Sequence, residues 1–377
     1  MKSLSIWEKQ TSYAPADVLI IGAGLMGLWT ALELKKSRPA LRITLVERNS
    51  TPLGASTRNA GFACFGSPTE LLSDIQTMGE QAMLDLAGMR WQGIQKIRAH
   101  FPDAVIGYDP CGGYECINDM DAGELDDKLN YLNQLLLNIT SEQAVFQRVD
   151  ERMPALGLCA FNHLVANRTE AALHSGMLVE QLSAMALSKG IRILYGLTAT
   201  RFEKTTAGYT LFVDDTISLT AKQLVCCTNA FTNELLQEPV ISPGRGQIIL
   251  TSPIPNLPMQ GTFHFDEGFY YWRHLGDRIL LGGGRNIDFA GEETHSLEGS
   301  AIIREALTAF LRQHLHPSIA FTVEQSWSGI MGFTGNKKPF TGFTPAGPYA
   351  AIACNGMGVA LTPIIAETVA TDILNHF

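Results

Sequence analysis

Gly22, Gly24 and Gly27, with the carboxylate of Glu47, are the residues whose types and spacing say most about chemistry. Gly22 permits a tight turn, Gly24 lets the backbone approach a pyrophosphate, and Gly27 lets the next helix sit close to the preceding strand. The first free N–H groups of that helix, at Leu25 and Met26, then face phosphate oxygens. Glu47 stands twenty residues beyond Gly27, the offset at which a carboxylate accepts hydrogen bonds from a ribose 2′-OH. Such an acid disfavours a 2′-phosphate. Near the other end, Gly356, Met357 and Gly358 follow the apolar run 349–353 and precede a helical pattern, a second place where a helix N-terminus stabilises negative charge.

Elements of the right kind surround both patterns. The run Val18 to Ile21 is wholly apolar, the helix after it carries Leu25, Leu28, Trp29 and Leu32 on one face, and Glu47 with Arg48 ends a second apolar strand. The breaker-rich stretch 51–61 reads as a loop entering a ligand site. Helical spacing fills 70–100 and 121–148, and a long amphipathic helix is expected over 170–190, leading into a strand at 191–195. Short alternating strands at 199–204, 208–213 and 217–219 precede an apolar strand that ends at Cys227, Thr228, Asn229 and Ala230. From 243 to 284 the pattern is alternating and aromatic, with a hairpin expected at 274–277. A helix near 297–314 leads to a glycine-rich segment at 328–347 and a final strand and helix. One strand, turn and helix at each end of the chain indicates a single extended cofactor held by both. FAD has that length, with its pyrophosphate at the first junction and its isoalloxazine near the second.

Composition narrows the class. The chain has 377 residues, 35 glycines, 46% hydrophobic residues and a formal net charge of −9, which suits a compact α/β enzyme and argues against a nucleic-acid partner. Seven scattered cysteines make a secreted disulfide framework unexpected. Cys111 and Cys116 lack a second pair at zinc-like spacing, and no metal site is expected. The polar stretch Met1 to Ala16 has no apolar signal core, and no run approaches eighteen apolar residues. A cytoplasmic protein without an integral membrane segment is expected.

In this order the motifs resemble the D-amino-acid-oxidase-like superfamily of FAD-dependent oxidoreductases, the group that includes glycine, sarcosine and γ-glutamylputrescine oxidases. The resemblance spans nearly the whole chain. It rests on the N-terminal glycines with Glu47, on Gly54 to Gly61 with Arg58 and Asn59, on Cys227 to Ala230, on Tyr271 and Arg273 followed by Leu280 to Gly284, and on Gly356 to Gly358. It implies a Rossmann-like α/β FAD-binding domain with an inserted α+β substrate domain on a mostly antiparallel sheet, and removal of hydride from a C–N bond to flavin N5. We expect the FAD-binding domain at 1–90, 150–235 and 325–377, and the substrate domain at 91–149 and 236–324.

Cofactor contacts are expected from Gly22, Gly24, Leu25, Met26, Gly27, Glu47, Arg48, Ser56, Arg58, Asn59, Ala60, Gly61, Thr198, Thr228, Asn229 and Gly329. The backbone N–H groups of Gly356, Met357, Gly358, Val359 and Ala360 are expected at the flavin edge that gains negative charge on reduction. In amino-acid oxidases of the superfamily an arginine near the C-terminus pairs with the substrate carboxylate. Here Met331 stands in its place, so another cation must bind that carboxylate or the substrate lacks one. Strand alternation puts Phe269, Tyr271 and Arg273 on one face of the hairpin and Tyr270, Trp272 and His274 on the other. Tyr271 with Arg273 is the expected recognition pair, Lys337 the expected cation assisting oxygen reactivity, and Cys64 and His174 are expected to be structural. The expected partners are a small amine or amino-acid substrate and an electron acceptor, O2 or another. A dehydrogenase of the same fold acting on a 2-hydroxy acid or using a quinone or carrier, and a flavin-binding sensor without turnover, are the alternatives.

Overall fold

The computed structural model describes residues 4–377; Met1, Lys2 and Ser3, part of the polar N-terminal stretch, lie outside it. The described chain divides into two units, one formed by the residues up to Thr57 with 175–244 and 330–377 and the other by 58–174 and 245–329.

In the first unit the strand Ala16–Ile21 is buried at every position. That is why it reads as a continuous apolar run, as strands covered on both faces do. It pairs in parallel with Ile43–Glu47 on one side and Ile217–Cys226 on the other, with Val18 opposite Ile43 and Ile21 opposite Cys226. The sheet order runs Phe340–Phe343, Tyr349–Ile352, Ile217–Cys226, Ala16–Ile21, Ile43–Glu47, Arg192–Tyr195. The helix Leu25–Ser37 is buried from Leu25 through Leu34, all round rather than on the single face expected, because the C-terminal helix Gly358–Leu374 also packs against it.

The second unit carries an eight-stranded sheet in the order Val323–Phe333, Ser242–Thr251, Arg278–Gly283, Tyr270–Leu275, Thr262–Phe265, Gly113–Ile117, His163–Asn167, Phe146–Arg148. The expected hairpin is present: Leu275 pairs with Arg278, and Gly276 takes a φ of 61° at the first position of the two-residue turn, where glycine is free of strain. Alternation along Tyr270–Leu275 divides the side chains as expected. Trp272 stacks on Phe263 at 5.3 Å in a core shared with Phe310 and Leu307. Tyr271 lies in a separate apolar cluster with Phe62, Ile248, Leu250, Leu280 and Trp327.

Three expectations are corrected. The division falls at 57/58 and 174/175, not at 90 and 150, because the helices Pro68–Met78, Glu80–His100 and Ala122–Thr140 bury Leu71, Met83, Ala87, Leu129 and Leu132 in one cluster with Phe146 and Val165. The helix expected over 170–190 is Ser175–Ser188, and Ala171–Ala172 is instead a short strand paired with Phe62–Ala63. The pattern at 121–148 divides into the helix Ala122–Thr140 and the strand Phe146–Arg148. Among the described residues no helix is long and apolar enough to cross a membrane.

Candidate functional site

The three N-terminal glycines each occupy a place where a side chain has no room. A Cβ on Gly22, whose φ is 102°, would stand 2.6 Å from the Cys227 carbonyl oxygen; on Gly24 it would stand 2.7 Å from Ser56 Oγ, and on Gly27 only 2.0 Å from the Gly22 carbonyl oxygen. Strand and helix therefore meet backbone to backbone. Glu47 is buried, with Oε2 accepting from the Ala23 amide at 3.1 Å and Oε1 from the Asn49 amide at 3.1 Å. Oε1 also accepts from Asn49 Nδ2 at 3.3 Å, which leaves the further lone pair of Oε2 for a ribose hydroxyl. Ser56 Oγ accepts from the Leu25 amide at 3.0 Å, and Met26 is buried beside it in sequence. Arg48 lies over the Phe231 ring at 3.8 Å and 3.7 Å from Glu234.

The other cofactor candidates of this unit divide. Thr228 bonds Thr232 at 2.9 Å, and Asn229, at φ 49°, donates to the Ile330 carbonyl at 3.3 Å. Ala353, Asn355 and Gly356 all have positive φ, so the chain turns sharply before Gly358–Leu374. Asn355 Oδ1 accepts from the Thr334 amide at 2.9 Å and holds that turn. The helix starts from Met357 without a side-chain cap, so the amides of Gly358, Val359 and Ala360 lie at the positive end of its dipole. Met331 Sδ lies 3.8 Å from where a Gly356 Cβ would be. Thr198 and Lys337 are both exposed. The Thr198 amide donates to Asp214 at 3.0 Å. Lys337 is in the turn between Val323–Phe333 and Phe340–Phe343.

In the second unit the loop 58–61 is tied down. Arg58 Nη1 donates to the Ser328 carbonyl at 2.9 Å, while its own carbonyl accepts from Trp327 Nε1 at 3.2 Å. Gly329 passes so close that a Cβ there would stand 3.0 Å from Arg58 Cβ. Arg58 Nε is buried without a hydrogen-bond partner. Asn59 Oδ1 accepts from the Gly61 amide at 2.9 Å, and Ala60 belongs to the Tyr271 cluster. A Cβ on Gly61 would meet the Leu173 carbonyl oxygen at 2.2 Å.

The role expected of Arg273 changes. Its Nη1 donates to the carbonyls of Gly61 at 2.9 Å and Leu173 at 3.0 Å, and its Nε to the His274 carbonyl at 3.1 Å. It is a buried backbone clamp. The Tyr271 ring fills the space that Gly282 leaves, since a Cβ there would come within 2.4 Å of it. Burial pushes its phenol up to about 12, against the pull of the Arg285 charge. Burial in turn lowers the Arg285 pKa, with Tyr271 and Glu292 opposing.

Sequence reasoning missed a buried pair. Glu170 Oε1 lies 2.6 Å from His264 Nε2 and accepts from Thr262 Oγ1 at 2.7 Å. Burial pulls the imidazole down, but the Glu170 charge and hydrogen bond outweigh it and raise His264 to about 8. Phe62 meets His264 edge-on at 5.2 Å and Tyr271 at 5.9 Å. Cys64 is buried and its thiol pKa rises by desolvation. His174 is exposed, its amide donating to the Ile106 carbonyl at 2.9 Å.

A mostly parallel sheet carrying a glycine turn, a buried carboxylate at the end of its second strand and a second uncapped helix start has the form of a dinucleotide-binding fold. Residues 17–371 match the model of the FAD dependent oxidoreductase family, DAO, and the chain belongs to that family. The bifunctional protein ThiO/ThiG of Synechocystis sp. (strain ATCC 27184 / PCC 6803 / Kazusa) is 25% identical over 375 residues, covering 96% of this chain and 52% of its own length. The chain thus spans about half of that relative. The crystal structure of L-proline dehydrogenase from P. horikoshii superposes with a TM-score of 0.76 at 15% identity, over 96% of this chain and 94% of that one. Glycine oxidase from Geobacillus kaustophilus gives 0.74 at 20%, over 96% and 95%. These two likenesses show the shared fold. The residues present fit FAD, because the buried Glu47 carboxylate reaches the Ala23 amide in the glycine turn and the helix Leu25–Ser37 starts from Gly24, which supplies no side-chain cap.

Proposed function

We propose that the protein oxidises a C–N bond of a small amine or amino acid by hydride transfer to FAD, releasing an imine that water hydrolyses, with O2 or another acceptor taking the electrons. Bound FAD supplies the two-electron acceptor. The chain's own residues bind and orient. The Met26 amide at the start of the helix Leu25–Ser37 would hold a pyrophosphate, Glu47 would accept from the ribose, and the start of Gly358–Leu374 would offer fixed positive dipoles to developing negative charge. The apolar cluster around Tyr271 favours a neutral amine over an ammonium ion, which is the form that can give up hydride.

The observation that carries this reading is the glycine and Glu47 cradle in a member of the FAD dependent oxidoreductase family. The substrate side is proposed from the positions of the cations. Met331 supplies no charge, and Arg273 is bonded to carbonyls. Arg285, whose charge acts on Tyr271, is therefore the proposed anchor for a substrate carboxylate. Anaerobic mixing of the flavin-loaded protein with amines, D- and L-amino acids, N-methylated acids and 2-hydroxy acids tests the proposal. Bleaching by at least one C–N substrate is expected; no bleaching by any of them, or bleaching by hydroxy acids alone, overturns it. Peroxide yield against dye reduction then identifies the acceptor.

A further inference from the structure

Two clusters in the second unit bring a cysteine, a carboxylate and a histidine together, each with donor atoms within 4.8 Å of one another. They differ in one length. Two oxygen or nitrogen ligands at about 2.0–2.1 Å from a tetrahedral zinc ion stand about 3.3 Å apart. In the buried cluster Cys64, Glu170 and His264, the carboxylate and imidazole are 2.6 Å apart, which is room for a shared proton only. In the cluster Asp109, Cys111 and His274, Asp109 Oδ2 and His274 Nε2 are 3.2 Å apart, the span an ion requires.

The second cluster is also held ready. The Asp109 amide and carbonyl bond Ala172 at 2.8 and 2.9 Å, and the Gly112 carbonyl accepts from Thr262 at 3.1 Å, so the loop is pinned on both sides of Cys111. His274 comes from the central hairpin and is 11% exposed, while the Asp109 side chain is 50% exposed and leaves a way in from solvent. The other ring nitrogen, His274 Nδ1, lies 3.0 Å from the Gly261 amide and 3.3 Å from the Gly261 carbonyl oxygen. The ring accepts from the first in one tautomer and donates to the second in the other. The latter frees the Nε2 lone pair for a metal.

We propose that Asp109, Cys111 and His274 form a binding site for one zinc-like divalent cation, with water as fourth ligand. Carboxylate, thiolate and imidazole together are a donor set for borderline metals rather than for Ca2+ or Mg2+. Arg273, whose charge acts on both Cys111 and Asp109, competes with the ion and makes it exchangeable. The inference stands apart from the proposed reaction, since none of the three donors is assigned to it.

The test uses the full, flavin-loaded chain, stripped with a chelator and titrated with Zn2+ against a chromophoric competitor, and separately with Co2+, whose tetrahedral thiolate bands lie to the red of the flavin absorption. One ion per chain is expected, bound about tenfold or more weakly after Cys111→Ser or Asp109→Asn and unchanged after Cys64→Ser. Asp109→Asn alters a half-exposed side chain, and an unchanged Tm confirms that the fold survives. The proposal is overturned by the absence of stoichiometric binding, by equal affinity in the Cys111 and Asp109 variants, or by loss on Cys64→Ser, which would move the site to the buried cluster.

Discussion

At Gly27 an added methyl would stand 2.0 Å from a backbone oxygen, whereas at Tyr271 an entire ring fills the room left by Gly282. The cofactor unit is shaped by close approaches of the main chain, and its critical positions are those that tolerate no side chain. The substrate unit is shaped by long side chains that reach distant partners: Arg273 to Gly61 and Leu173, His264 to Glu170. A cradle of the first kind suits a cofactor whose phosphates look alike in every enzyme that uses it, because backbone amides read phosphate and little else. A surface of the second kind can be altered residue by residue.

The comparison breaks most severely at Gly27. Gly27→Ala pushes Cβ against backbone that cannot yield, and purified protein without bound flavin is expected, read from the ratio of flavin to protein absorbance; a stoichiometric flavin content would refute the backbone account. Removing one partner of a buried ion pair comes next. Glu170→Ala leaves His264 buried without its partner, so the imidazole gives up its proton, and a loss of about 1–3 kcal/mol in denaturant unfolding is expected. Arg273→Met orphans buried carbonyls at Gly61 and Leu173, for an expected loss of about 1–3 kcal/mol with KM for acidic substrates unchanged; a rise in KM with intact stability would restore the substrate role to Arg273. Arg285→Met is the complementary change. There KM should rise about tenfold, roughly 1.4 kcal/mol, for carboxylate-bearing substrates and stay level for uncharged amines.

The smallest effect is on pH dependence. His264 is raised to about 8 in the folded protein, above its ordinary value of about 6.5. The stability this contributes is complete below about pH 6.5 and lost as pH rises through about 8. Thermal melts should show that decline in the parent chain and a flatter profile in Glu170→Ala.

The cradle was legible because its determinants are local. Gly22, Gly24, Gly27 and Glu47 lie within one strand, helix and strand, and Glu47 bonds the Ala23 amide between the first two of these glycines. Alternation along Tyr270–Leu275 also carried over, placing Trp272 and Tyr271 in separate clusters. The function of Arg273 did not follow from its face, since Leu173 and Gly61 reach it from elsewhere in the chain. Glu170 was misread as the head of a helix because its partner, His264, is 94 residues away. Cys111 was weighed against Cys116, its neighbour in sequence. Its spatial neighbours Asp109 and His274 follow no zinc spacing.

The three-part composition of the cofactor unit orders events on the ribosome. By the time Gly329 is made, every residue of the substrate unit has been synthesised, while the strand Tyr349–Ile352 that pairs with Ile217–Cys226 and the helix that packs on Leu25–Ser37 have not. Domains fold as units during synthesis, so the inserted unit can mature on a nascent chain whose nucleotide cradle is still open. The strand and helix that complete the parallel sheet then dock last, after the residues from Ile330 onward emerge.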